Sequence, residues 1–338
     1  MKAMALQDGF GLENLKPLER DMPKPGRGEV LLKMKAASLN YRDLLIAEDR
    51  YGGRFKLPLV PLSDGCGEVA EVGEGVSRVA VGDRVAPIFF QNWLSGEATL
   101  EGLVSSMGGP IDGCWQEYRV LSEQGLVKAP AHLSDAQVAS LPCAALTAWR
   151  ALVTEGSVKA GDTILLQGTG GVSIFALQFA KAAGAEVIIT SSSDEKLERA
   201  KSLGADHVIN YRETPETSKV VRDITGWRGV DHVIEVGGAE TLKEALKSIR
   251  LNGRVSIIGN VSGNTADLRI GAIIATRVTM QGISVGSRAD FEAMNRAIDL
   301  HKIDPIVDTV LPFDAGRDAF IQMAAGKHFG KICIDLEA

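Results

Sequence analysis

Apolar and polar positions along the chain fall into two textures. Up to about residue 125, short β-type runs broken by Gly and Pro predict strands at 29–37, 67–72, 84–86 and 117–120, with one helix at 41–46. The Gly-rich stretch 89–113 has no period. Segments that long either serve as binding or subunit-contact surfaces, here through Trp93, Leu94, Leu100, Leu103 and Met107, or pack on themselves as structural loops. From about residue 134 the texture changes, beginning with Ser134 and Asp135 as a helix cap. Strands are predicted at 163–167, 187–190, 207–209, 231–236 and 254–258, alternating with helices at 172–183, 194–203 and 240–249. Such alternation predicts an α/β unit with a parallel sheet covered by helices on both faces. A helix at 289–301 and a strand at 331–336 close the chain.

Length and composition narrow the class. The 338 residues, 45% hydrophobic and 24% charged, suit two globular domains rather than a disordered or fibrous chain. No run approaches the roughly 18 apolar residues that span a bilayer, and the N-terminal residues lack an apolar signal region, so a cytoplasmic protein with no membrane partner is expected. A net charge of -6 gives no general attraction for nucleic acid. Cys66, Cys114, Cys143 and Cys333 stand singly, as reduced, mostly buried thiols would.

Candidate chemistry starts at the glycine-rich turn. Gly168-Thr-Gly170-Gly171-Val172-Ser173 follows a predicted strand and opens a predicted helix, the context in which such a turn binds a dinucleotide. Gly168 allows the tight turn, Gly170 lets the backbone approach a pyrophosphate, and the helix start stabilises its charge. At the end of the next strand, where NAD binders carry an acid, the chain reads Thr190-Ser191-Ser192-Ser193, with Lys196 close by. Serines and a lysine favour the 2′-phosphate of NADPH. The competing reading makes Ser193 a helix cap with Asp194 and Glu195 in the first turn, which needs no phosphate.

Several ordered motifs then carry a family resemblance over essentially the whole chain. They are Ala36-Ala-Ser-Leu-Asn40-Tyr-Arg-Asp43, Asp64-Gly-Cys-Gly-Glu-Val-Ala-Glu-Val-Gly73 with Val81-Gly-Asp-Arg-Val85, Leu141-Pro-Cys-Ala-Ala-Leu-Thr147-Ala-Trp149, the 168–173 turn, Leu203-Gly-Ala-Asp-His-Val-Ile-Asn-Tyr211, and Phe329-Gly-Lys331. The chain resembles the medium-chain dehydrogenase/reductase superfamily, in its zinc-independent quinone oxidoreductase and enoyl reductase branch. The resemblance implies a GroES-like β-rich catalytic domain at 1–125 and 287–338, a Rossmann doubly wound parallel sheet at 126–286, and a cleft where nicotinamide meets a small-molecule substrate.

It further implies that Asn40, Ser63 and Cys143 occupy the positions where zinc-dependent relatives carry Cys, His and Cys. An amide, a hydroxyl and one thiol make a poor set for a metal that takes three protein ligands, so no metal is expected. By resemblance, Asn40 lies near the reacting oxygen and Tyr51 is a proton or hydrogen-bond donor; Tyr41 competes for that role. Thr147, Gly237, Gly259 and Asn260 match the nicotinamide and ribose wall, and Lys196 and Tyr211 the surroundings of the 2′-phosphate. The expected activity is NADPH-dependent hydride transfer to a quinone or an activated C=C bond. Alcohol dehydrogenase-like chemistry and a non-catalytic NADPH-binding protein are the alternatives. A homodimer is expected, paired through the edge strand at 278–284.

Overall fold

A computed structural model describes residues 1–52 and 55–338 of the chain, which divides into two compact units: Met1–Leu146 with Val285–Ala338, and Thr147–Ser284. The first is built on a seven-stranded sheet. Its path runs Val307–Pro312, Lys331–Asp335, Glu29–Ser38, Asp64–Val72, Arg84–Pro87 and Leu126–Lys128, and Tyr118–Ser122 also pairs with Glu29–Ser38. Register decides what gathers at one end. Ser38 lies opposite Asp64 on one side and Cys333 on the other, both pairings antiparallel. The exit of Glu29–Ser38 toward Asn40 therefore stands beside the entry of Asp64–Val72 and the entry of Lys331–Asp335.

Large apolar side chains fill the space behind this sheet. Trp115 is fully buried, stacks on Phe320 at 6.3 Å and donates its indole N–H to the Phe313 carbonyl at 3.3 Å. Gly316 is needed there, because a Cβ would lie 1.7 Å from the indole ring. The aperiodic stretch 89–113 is partly ordered on the same unit: Leu100–Leu103 forms one helical turn capped by Thr99, and Trp93 and Met107 are buried while Leu100 is exposed.

The second unit holds six parallel strands in the order His207–Asn210, Glu186–Ser191, Thr163–Gln167, Val230–Glu235, Ile249–Ile257 and Thr279–Gly282. This is the doubly wound order, with the reversal after Thr163–Gln167. The central strands Thr163–Gln167 and Val230–Glu235 are buried throughout, the polar Asp231, His232 and Glu235 included, as strands in the middle of a sheet covered on both faces are.

The expected division near residue 125 falls instead at Leu146, and the return at Val285 rather than 287. The helix Asp135–Ala139 explains the first shift. It packs on the strands Glu29–Ser38 and Asp64–Val72, and Asp135 accepts hydrogen bonds from Arg84 at 2.9 Å and from the Cys66 thiol at 3.5 Å. No helix among the described residues is long and apolar enough to cross a membrane.

Candidate active site

In the second unit, the residues expected at the dinucleotide lie at the carboxyl ends of consecutive strands. Gly168 follows Thr163–Gln167, Ser192 follows Glu186–Ser191, Tyr211 follows His207–Asn210, Gly237 comes two residues after Val230–Glu235, and Gly259 and Asn260 come just after Ile249–Ile257. Gly168 has φ 72°, a conformation that disfavours side chains, and Gly170 caps the helix Gly171–Ala182, whose first two residues are Gly171 and Val172. A Cβ at either Gly168 or Gly170 would meet nothing within 4 Å. These two glycines therefore leave open space in front of the exposed N–H groups at a helix start, the setting that receives a phosphate.

A buried carboxylate that sequence reasoning passed over holds these turns together. Glu235, with no exposed surface, accepts hydrogen bonds from the backbone N–H groups of Gly237 (2.8 Å) and Gly238 (2.9 Å), from the Thr241 hydroxyl (2.5 Å), and from the Gln167 amide (2.7 Å). Gln167 in turn precedes Gly168, and its carbonyl accepts from the Ser173 hydroxyl at 2.6 Å. One acid thus ties the pyrophosphate-type turn to the Gly237 turn. Its only signal in the sequence was a Glu near the end of a predicted strand, two residues before Gly237.

At the neighbouring strand end, Ser193 does cap the helix Asp194–Ser202, as the phosphate-free reading required. Asp194 accepts from the Asn210 side chain at 2.7 Å, so its charge is engaged by an amide. Ser192 and Lys196 are partly buried, and Tyr211 is exposed. Thr147 is buried, and the Asn260 side chain donates to Asn264.

In the first unit, the converging strand ends assemble a second polar cluster. Asn40 caps the helix Tyr41–Ala47, its N–H held by the Asp43 carboxylate at 2.8 Å. Its side-chain amide donates to the Ser63 hydroxyl at 3.3 Å, and Ser63 donates to Asp64 at 2.7 Å. The backbone N–H of Cys143 donates to the other Asp64 oxygen at 3.1 Å. Asn40, Ser63 and Cys143 are thus brought together, with the buried Asp64 as their common member. Burial pushes the Asp64 carboxyl above its ordinary range against the pull of Lys331, and burial also raises the Cys143 thiol.

Lys331 supplies a cation at this cluster. Its side chain is 3% exposed, its ammonium donates to the Asn40 side-chain oxygen and the Leu39 carbonyl, each at 2.6 Å, and it lies 4.0 Å from Asp64. The Phe329-Gly-Lys331 motif contained this residue, but only the antiparallel pairing of the last strand brings it to Asn40. Tyr51 occupies a different setting. It is 47% exposed, with its ring over the Arg42 guanidinium at 5.2 Å. Among the described residues, no three His, Cys, Asp or Glu side chains gather in metal-holding geometry.

Comparison with known proteins follows the same division. Residues 26–131 match the alcohol dehydrogenase GroES-like domain family, and residues 171–299 the zinc-binding dehydrogenase family. A zinc-type alcohol dehydrogenase-like protein of Schizosaccharomyces pombe is 46% identical over 97% of this chain and 96% of its own. An acryloyl-coenzyme A reductase of Metallosphaera sedula is 33% identical over 92% and 93%, respectively. A crystal structure of a NAD-dependent alcohol dehydrogenase superposes with a TM-score of 0.91 at 32% identity, covering 99% of this chain and all of that one.

Proposed function

Because the chain belongs to the medium-chain dehydrogenase/reductase superfamily and is an oxidoreductase of that kind, we propose that it uses NADPH to reduce a quinone or an activated C=C bond, without a catalytic zinc. The observation that carries this reading is the donor set around Asn40. A zinc site here would have to be made from an amide, a hydroxyl and a single thiol. The amide oxygen is already bonded to the Lys331 ammonium at 2.6 Å, so a divalent ion would compete with a buried cation for the same atom. The residues present do not fit the metal.

Carbonyl reduction concentrates charge on one alkoxide oxygen, which a Lewis acid stabilises by several kcal/mol. A conjugated acceptor spreads that charge as an enolate, for which hydrogen-bond donors suffice. Asn40 retains a second amide N–H for such an oxygen, and Lys331 polarises that amide from its far side. Tyr51, or solvent, is the proton source in this reading. The name of the acryloyl-coenzyme A reductase relative points to the same acceptor class.

The nucleotide is assigned to Gly168, Gly170, Gly171, Val172, Ser192, Lys196, Tyr211, Gly237, Gly259, Asn260 and Thr147, among which Gly168 and Gly170 leave the space a pyrophosphate needs. Bound there, the reduced nicotinamide supplies the hydride. Ser192 and Lys196 favour a 2′-phosphate over a bare ribose, and no acid stands at the strand end itself. We also infer a homodimer: Thr279–Gly282 is an edge strand, and the preceding helix Ile270–Thr276 has no buried residue and exposes Ile270 and Ile274.

Oxidation of NADPH and NADH against a panel of quinones, enones, aldehydes and alcohols tests the reading. Turnover of quinones or enones with NADPH is expected. Activity confined to alcohols after zinc addition overturns it. Ser192→Asp is expected to shift the preference toward NADH by about tenfold or more, since an acid repels the 2′-phosphate and receives the ribose hydroxyls.

A further inference from the structure

Arg42 is buried next to the Asn40 cluster and is only half used. Its side chain is 9% exposed, and one terminal nitrogen, Nη1, donates to the Met107 carbonyl at 2.9 Å and to Asp43 at 3.2 Å. The other two nitrogens, Nε and Nη2, are buried with no hydrogen-bond partner among the described residues. Native structures seldom leave buried donors idle, least of all charged ones, unless an occupant or a function accounts for them. Nε and Nη2 form the side edge of the guanidinium, whose two parallel N–H groups match the two oxygens of a carboxylate.

Two aromatic rings and a glycine enclose that edge. Phe89 and Tyr51 lie on the guanidinium with ring centroids 4.9 and 5.2 Å from its carbon. Beside Nη2 stands Gly109, where a Cβ would fall 2.7 Å from that nitrogen, 3.5 Å from Phe55 and 3.6 Å from the Ser106 hydroxyl. Any side chain at Gly109 would press on Nη2. Of the two rings on the guanidinium, Phe89 is buried and Tyr51 is 47% exposed, so Tyr51 is the wall that meets solvent. Asp43, the one carboxylate bonded to Arg42 among the described residues, divides its oxygens between Arg42 Nη1 and the Asn40 N–H, so neither oxygen serves Nε or Nη2.

We propose that the Nε and Nη2 edge of Arg42 binds a carboxylate of the acceptor, so that the enzyme selects conjugated substrates bearing a free carboxylate group. Arg42 then acts in specificity: it anchors the acid at one end of the molecule while the Asn40 region faces the conjugated system. This rests on the proposed function for the location of the acceptor, but the binding itself does not require hydride transfer.

The test is calorimetric titration of the full chain, saturated with NADP+, with crotonate and with crotonamide, a planar neutral analogue of the same size, and with inorganic phosphate at matched ionic strength. Crotonate is expected to bind about tenfold or more tightly than crotonamide, as a charge-assisted bidentate pair should. Arg42→Lys, which keeps the charge and loses the fork, is expected to reduce that ratio severalfold. Equal binding of acid and amide, no binding of either, or phosphate binding as tightly as crotonate overturns the assignment. The wild-type ratio decides this even if the variant fails to fold. If neutral quinones are reduced but crotonate is not preferred, the Arg42 assignment alone falls; if crotonate is preferred but no acceptor is reduced, the hydride-transfer reading falls instead.

Discussion

Replacing Lys331 by Met removes a buried charge while nearly preserving side-chain length, and its cost can be worked from the geometry. Asp64 has no exposed surface, Lys331 is 3% exposed, and the two lie 4.0 Å apart. At an effective dielectric constant near 20, charges at that separation attract by about 4 kcal/mol. Breaking a buried pair typically costs about 3–5 kcal/mol, because the remaining charge is left uncompensated. Asp64 keeps its bonds from Ser63 and the Cys143 N–H, and without Lys331 it is free to take up a proton, which caps the loss. The Asn40 oxygen and the Leu39 carbonyl also lose a charged donor. We expect Lys331→Met to destabilise the protein by about 3 kcal/mol at pH 7, measured by urea unfolding. The loss should shrink at pH 5, where protonation of Asp64 is cheaper. In the double variant Lys331→Met with Asp64→Asn, about half should be recovered, since no charge is then stranded. A loss under about 1 kcal/mol for the single variant, or a double variant no more stable than the single, refutes the view that Lys331 neutralises the cluster.

Two further outcomes follow from the same structure. Gly170→Val should leave thermal stability nearly unchanged, because its Cβ meets nothing within 4 Å and its φ is -81°, yet it should weaken NADPH binding by about tenfold or more by filling the space before the helix start; undiminished nucleotide binding, read by NADPH fluorescence, would show that the pyrophosphate lies elsewhere. Asp43 is 1% exposed, and its carboxyl is raised by burial from 3.8 to about 6, so between those values the folded chain holds a proton there that the unfolded chain has released. Stability must therefore fall as pH rises through that window, by up to about 3 kcal/mol, and Asp43→Asn should flatten the slope between pH 4 and 6 in urea-unfolding series; an unaltered slope counts against the assignment.

The nucleotide unit is largely legible in the sequence. Thr163–Gln167 and Glu186–Ser191 carry short apolar runs suited to a sheet covered on both faces, and the helices follow with caps such as Ser193, so local pattern and tertiary placement agree. Predicted and observed bounds coincide for Thr163–Gln167 and differ by one residue at each end for Glu186–Ser191 and Gly171–Ala182. The glycine turn is readable because a positive φ at Gly168 limits the residue choice. Less regular elements are not: Lys2–Leu6 and Leu15–Glu19, which pair with each other, and Val307–Pro312, which pairs with Lys331–Asp335, carry no apolar run of their own that the sequence reading picked out.

Residue identity determined the family, the parallel sheet and the glycine-rich turn, since each depends on local spacing and backbone freedom. Which charged partners Asn40, Ser63 and Cys143 meet in the first unit was decided by tertiary structure. Lys331 is 291 positions from Asn40 in sequence and 2.6 Å from it in space, and its importance comes from being a charge in a place without water. The idle edge of Arg42 and the shared carboxylate of Glu235 are of the same kind. A buried polar group takes its meaning from which partners register and packing bring to it, and which they withhold, and neither is written in any one stretch of the chain.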